Sequence, residues 1–191
     1  MDKVAVKEYL EKNPTEHGEV LLEFINNQSD YYTRTNSVGH ITGSAFILNS
    51  DLDRALLVLH GKYNKWVAPG GHVDAGENSL KAASRESGEE VGLTNLELLK
   101  PEIFDIDIHR IPAATKNGVF EPEHWHFDVR YLFKIQPESV VDLNVLESKG
   151  FKWPNLTEIS QDEDKSISRQ ANKAIDFIEK QLKNKLVKPK M

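Results

Sequence analysis

The sequence predicts a layered fold of strands and helices, of the α/β or α+β kind, as one domain with helices added at both ends. Three observations predict it. The runs "EIFDIDIHRI" and "HWHFDVRYLFKI" alternate in character with the two-residue period of a strand. Stretches near both ends space their apolar residues as a helix does. The 191 residues are 39% hydrophobic and include 11 glycines, an ordinary balance for one domain that buries its own core.

In order, "VAVKEYL" predicts a short helix and "NPTEHGEVLLEFINN" a second. In the second, Asn13 caps, Pro14 suits the first turn and Glu16 completes a capping box. Val20, Leu21, Phe24 and Ile25 form its apolar stripe. "HITGSAFIL" and "RALLVLH" read as two strands joined by the turn "NSDLD". "WVAPGGHVDAGE" reads as a turn-rich loop, and residues 78–90 as a helix ended by Gly92. The two alternating runs follow as longer strands, their edges marked by Pro101, Pro112 and Pro122. "FKWPNLTEI" closes as a strand and turn. From Asp162, Ile167, Ala171, Ala174, Ile175, Ile178 and Leu182 trace a long amphipathic helix.

Composition excludes some functions. There is no cysteine, hence no disulfide and no thiol nucleophile, which fits a reducing compartment. "MDKVAVKEYLEKN" has no apolar signal segment, and "ALLVL" is far too short to cross a membrane. A cytoplasmic location is expected. The net charge of -6 argues against a broad basic surface for nucleic acid. The lysines of "KQLKNKLVKPKM" suit the C-terminal end of a helix.

"RESGEEVG" places Glu86, Glu89 and Glu90 within five positions. On a helical wheel with Leu80 at zero, Ala83, Ser84, Ser87 and Val91 gather around Leu80 as the core face. Glu89, Glu86 and Glu90 fall near ~180°, ~240° and ~280°, on one face turned largely away from that core. Neighbouring like charges cost a few tenths of a kcal/mol, and Gly88 inside the helix costs about 1 kcal/mol more. A hard divalent cation removes the repulsion, because Mg²⁺ takes carboxylate oxygens together with water and phosphate. On the spacing alone a simply solvated acidic face is the favoured reading, because acidic faces are common.

The surrounding residues decide between these. "GHVDAGENSLKAASRESGEEVGL" resembles the box of the Nudix hydrolase family at Gly71, Glu77, Arg85, Glu86, Glu89, Glu90, Gly92 and Leu93. Ser87 departs from it, standing where an aliphatic residue is expected. The resemblance implies an α/β/α sandwich around a mixed sheet over residues 38–160. A helical extension (1–37) and a C-terminal helix with a basic tail (161–191) flank it. It implies hydrolysis of a nucleoside diphosphate linked to another group, with Mg²⁺ or Mn²⁺. By position, Glu86, Glu89 and Glu90 are metal ligands, with the carbonyl of Gly71 or Gly70 completing the set. Arg85 and Glu77 orient the glutamates. A metal-activated water attacks, and a spare glutamate or a carboxylate from a later loop takes its proton. The implied partner is a small nucleotide-type substrate.

Marks that divide the family by substrate are missing. Ile108 stands where a proline would indicate ADP-ribose. His109, Arg110 and Ile111 stand where a tyrosine would indicate dinucleoside polyphosphates. Two rivals remain: an isopentenyl diphosphate isomerase, which the lack of cysteine disfavours, and a Nudix-like binding or regulatory module without turnover. The terminal helices are open to a cap over the sheet, a homodimer surface or simple packing.

Asp105, Asp107 and His109 alternate with isoleucines, and His124, His126 and Asp128 alternate with Trp125 and Phe127. If the two strands pair, these polar faces meet. His124, His126 and Asp128 are then expected to line the active-site cleft with His109 and Asp107 facing them. There they would bind phosphate, supply the base or hold a second, softer metal. A solvated polar sheet face is the plainer alternative.

Overall fold

The structure, a computed structural model, describes residues 2–116 and 119–187. Two helices, α1 (Asp2–Lys12) and α2 (Glu16–Asn27), precede β1 (Gly39–Leu48), β2 (Leu57–His60), β3 (Trp66–Val67) and β4 (Gly70–His72). Helix α3 (Ser79–Val91) leads to β5 (Leu96–Leu98), β6 (Asp105–Ile111), β7 (Ala114–Lys116), β8 (Val119–Glu121) and β9 (His124–Ile135). Strand β10 (Ser148–Lys152), the short α4 (Leu156–Ile159) and α5 (Lys165–Val187) end the described chain. Residues 188–191 of the expected basic tail lie outside it.

The main sheet is mixed, in the order β4-β1-β9-β5, with β6 also on β9 beyond β5. Only the central pair, β1 and β9, is parallel, running in register from Gly39↔Trp125 to Leu48↔Lys134. Strand alternation then sorts residues between two faces. One face carries Ile41, Ala45, Ile47, Ile106, Phe127, Val129, Tyr131 and Phe133, packed with α1, α2 and α3 in the larger core. The other carries Phe46, Leu48 and Leu132, covered by Ile167, Ala171 and Ala174 of α5. Helices thus cover both faces, giving the expected α/β/α sandwich on a mixed sheet.

Several elements differ from the sequence reading. Thr15, not Asn13, caps α2, accepting from Gly18 N–H at 3.2 Å. Pro14 lies outside the helix, and Gly18 stands where the capping box would need a glutamate. Helix α1 is longer than expected because Asp2 is tied down, accepting from the Tyr32 hydroxyl and the Ser79 N–H. Strands β1 and β2 belong to different sheets, with β2 between β10 and β3. The "WVAPGGHVDAGE" loop contributes β3 and β4. Strand β5 and the β7–β8 hairpin were not legible, and the final turn is a helix, α4.

Candidate active site

Helix α3 starts at Asn78, whose side chain accepts from Lys81 N–H, and stops at Gly92 in the left-handed region (φ 70°). The small residues Ser79, Ala82, Ala83 and Ser87 bring it down onto β1. A Cβ on Gly43 would overlap the Ser79 carbonyl oxygen. Ser87 fits this tight face because its hydroxyl donates to the Ala83 carbonyl at 2.8 Å. The helix is rolled roughly 70° from the wheel expectation. Glu90 is buried and Leu80 half-buried, while Ser84 is exposed. The glutamates therefore do not all turn away from the core. The Glu86 side chain is 13% exposed, and Glu89 is 54% exposed.

Arg85 ties this face together. Its guanidinium donates to Glu77 at 3.2 Å, Glu86 at 3.0 Å, Glu89 at 2.7 Å and the His72 carbonyl at 2.7 Å. Burial alone would lower its pKa, but Glu86 and Glu77 outweigh that and raise it. The His72 contact fastens the helix to β4, whose Gly71 leaves no room for a side chain. A Cβ there would overlap the Glu86 carboxylate.

Glu90 is held differently. Burial, then the charges of Glu86 and Glu147, push its carboxyl up to about 8. Its Oε2 is buried without a hydrogen-bond partner. Burial also raises Glu86, helped by Glu89 and Glu147 and opposed by Arg85. Glu147 was not singled out from the sequence. The loop before β10 brings it here by hydrogen-bonding to the end of α3, Asp142 N–H to Val91 and Asn144 N–H to Glu90. Crowded carboxylates beside the backbone of Gly70 and Gly71 are a donor set for a hard divalent cation.

The second predicted cluster lies on the sheet face opposite α3. Strands β6 and β9 pair antiparallel, with Asp107 beside Asp128 and His109 beside His126. The two polar runs thus meet in one patch on a single face, as pairing of the strands predicts. The aspartates are engaged. Arg130, itself buried, reaches Asp105 at 3.2 Å, Asp107 at 3.2 Å and Asp128 at 2.7 Å. From α5, Arg169 reaches Asp105 and Asp107, and Lys173 reaches Asp105 at 2.6 Å. Asp128 also accepts from the Thr42 and Ser44 hydroxyls. Burial would raise the Asp107 carboxyl, but His109, Arg130 and Arg169 hold it well below the usual range.

Next along this face stand five of the seven histidines. The pairing of β1 with β9 puts His40 beside His126, and ring centroids connect His40 to His72, His124 and His126 at 4.7–5.0 Å. His40 and His72 were missed because no sequence pattern says that β1 neighbours β9. A separate apolar cleft of about 370 Å³ lies between α2 and the sheet, lined by Phe24, Ile108, Trp125 and Phe127. The carboxylates of α3 do not line it.

A family model described as the NUDIX domain matches residues 40–175. The chain belongs to the Nudix family. A mouse bis(5'-nucleosyl)-tetraphosphatase (asymmetrical) is 29% identical over 114 residues, 59% of this chain and 71% of that protein. A probable DHNTP pyrophosphohydrolase of Lactococcus lactis is 28% identical over 141 residues, 72% of this chain and 82% of that protein. Among solved structures, a Nudix-family hydrolase from Clostridium perfringens superposes with a TM-score of 0.54 at 27% identity. It covers 73% of this chain and 97% of its own. Among the described residues no helix is long and apolar enough to cross a membrane.

Proposed function

We propose that this Nudix-type pyrophosphohydrolase cleaves a phosphoanhydride in a nucleoside diphosphate linked to another group. Water attacks phosphorus, with Mg²⁺ or Mn²⁺ held at the carboxylate face of α3. One observation carries the reading: Glu90 is a buried carboxylate with a bare Oε2, beside Glu86 and Glu147. A solvated acidic face would leave its carboxylates in water. This group is desolvated with Oε2 left bare, and a bound cation would supply the partner that oxygen lacks.

Glu86 and Glu90 are the ligands we assign first, with a carbonyl of Gly70 or Gly71. Glu89 is the third, though Arg85 holds it and it is the most exposed of the three. Bound there, the metal would neutralise bridge oxygens and acidify a water. The protein's own groups do the rest. Arg85 and Glu77 fix the direction of the Glu86 carboxylate. Glu147 takes the proton as the water oxygen bonds to phosphorus and the bridging P–O bond breaks. Asp107, held well below the usual carboxylate range, is a poor base, and Asp128 is already engaged by Arg130, Thr42 and Ser44. His109, His124, His126, Asp107 and Asp128 therefore keep no assigned step, although the imidazoles remain candidates for contacting substrate phosphates.

The names of the relatives bring two substrate classes, bis(5'-nucleosyl) tetraphosphates and DHNTP. The absent tyrosine near His109 speaks against the first, so the reading stays at the phosphoanhydride. Hydrolysis of a panel of such compounds in ¹⁸O-water tests it. Label should enter a phosphate of one product, only when Mg²⁺ or Mn²⁺ is present. Turnover of simple phosphomonoesters alone would overturn it.

A further inference from the structure

We propose that His40, His124 and His126 form a second metal centre, distinct from the carboxylates of α3 and suited to Zn²⁺. One ring nitrogen from each lies within 4.8 Å of the other two. Imidazole nitrogens bind zinc at about 2.0–2.1 Å and so stand about 3.4 Å apart around one tetrahedral ion, a spacing that small turns of the rings would reach.

The hydrogen bonding supports the same assignment. His40 is fully buried, and neither its Nδ1 nor its Nε2 has a partner. His124 is buried too. Its Nδ1 contacts the Pro122 carbonyl at 2.8 Å, so Nδ1 carries the proton and Nε2 presents a lone pair. That Nε2 is likewise buried and unpartnered. A backbone carbonyl on one ring nitrogen with the other bare is the arrangement that orients a metal-binding histidine. Buried polar atoms normally find partners, and one ion would satisfy the His124 Nε2 together with one of the two bare His40 nitrogens.

Nearby groups offer a fourth ligand. His72 and His109 have centroids 5.3 and 5.4 Å from His126, and His109 Nδ1 lies 3.2 Å from Asp107. The aspartates of this face are occupied by Arg130, Arg169 and Lys173, so the donors here are nitrogens. Nitrogen donors favour Zn²⁺ over Mg²⁺, whereas the oxygens of α3 favour the reverse. The register makes the site a product of the fold, because β1 supplies His40 and β9 supplies His124 and His126.

The test uses the untagged full chain, stripped of metal and titrated calorimetrically with Zn²⁺ in excess Mg²⁺. One Zn²⁺ per chain is expected, and it should persist in Glu90→Gln. His126→Ala should weaken it at least about 100-fold, with the folded circular dichroism spectrum retained. Zinc X-ray absorption on the wild-type chain needs no variant and covers the case in which the substitution unfolds the protein. It should show imidazole scattering from a shell of nitrogens. An oxygen-only shell, no Zn²⁺ bound in excess Mg²⁺, or unchanged affinity in folded His126→Ala would each overturn the proposal.

Discussion

Glu90→Gln should abolish hydrolysis and, without metal, make the protein more stable. The Glu90 carboxyl is raised from 4.5 to about 8 by burial and by Glu86 and Glu147. Between those values the folded chain holds a proton that the unfolded chain has released. The stability tied to that proton is complete below pH 4.5 and is lost as pH rises through 8. At about 1.4 kcal/mol for each pH unit above the unfolded value, the loss at pH 7 is on the order of 3 kcal/mol. Glutamine keeps the shape and carries no charge, so it recovers up to that amount. Its new amide must still find partners, which makes the figure an upper value. For a chain of this length, 3 kcal/mol corresponds to a melting shift of roughly 6–12 °C. The assay is thermal unfolding in EDTA from pH 5 to 8, for wild type and variant. The curves should coincide near pH 5 and separate steadily towards pH 8. Saturating Mg²⁺ should stabilise wild type most at pH 8 and the variant little. Turnover should fall by at least about 100-fold, since one charged ligand is gone. A variant no more stable than wild type at pH 8 in EDTA would refute the charge argument. Near-normal turnover would refute the ligand assignment.

Other outcomes follow from the same geometry. Glu147→Gln should lower kcat by about 10²–10⁴ with little change in KM, checked by steady-state kinetics at saturating Mg²⁺. Gly71→Ala should keep the fold but cut activity, because its Cβ displaces the Glu86 carboxylate; circular dichroism and turnover together read this. Arg85→Lys should lose activity despite keeping the charge, since one ammonium cannot span Glu77, Glu86, Glu89 and the His72 carbonyl. Arg130→Ala should cost about 3–5 kcal/mol in chemical denaturation by stranding buried aspartates.

Local signals carried much of this into the sequence. The box spacing located the carboxylates, Gly92 ended α3, and alternation placed Asp105, Asp107 and His109 on one face with His126 and Asp128. What stayed hidden was set by long-range pairing. The roll of α3 depends on its approach to Gly43, more than thirty residues earlier, so the wheel put Leu80 rather than Ala83 at the centre of the core face. His40 joins the imidazole cluster only because β1 runs parallel to β9. Glu147 reaches the site only because its loop hydrogen-bonds to the end of the helix. The cations that occupy Asp105 and Asp107 include two from α5, about sixty residues away.

Those cations separate two acidic clusters that look alike in sequence. On the face opposite α3, Asp105, Asp107 and Asp128 meet Arg130, Arg169 and Lys173, three anions with three cations. The charges balance, and the ion-paired Asp107 carboxyl is held down. On α3, Glu86, Glu89 and Glu90 stand with Glu147 nearby. Among the described residues the cation in ion-pair contact with them is Arg85, which Glu77 also shares. The negative charge there exceeds the positive, and Glu90 is pushed up instead. Glu90 and Asp107 are both desolvated, so burial alone cannot account for the opposite directions. The difference is whether the protein supplies its own counter-charge. Where it does, the carboxylates hold the sheet to α5. Where it does not, negative charge is left over, and that surplus is the opening the proposed divalent cation would fill.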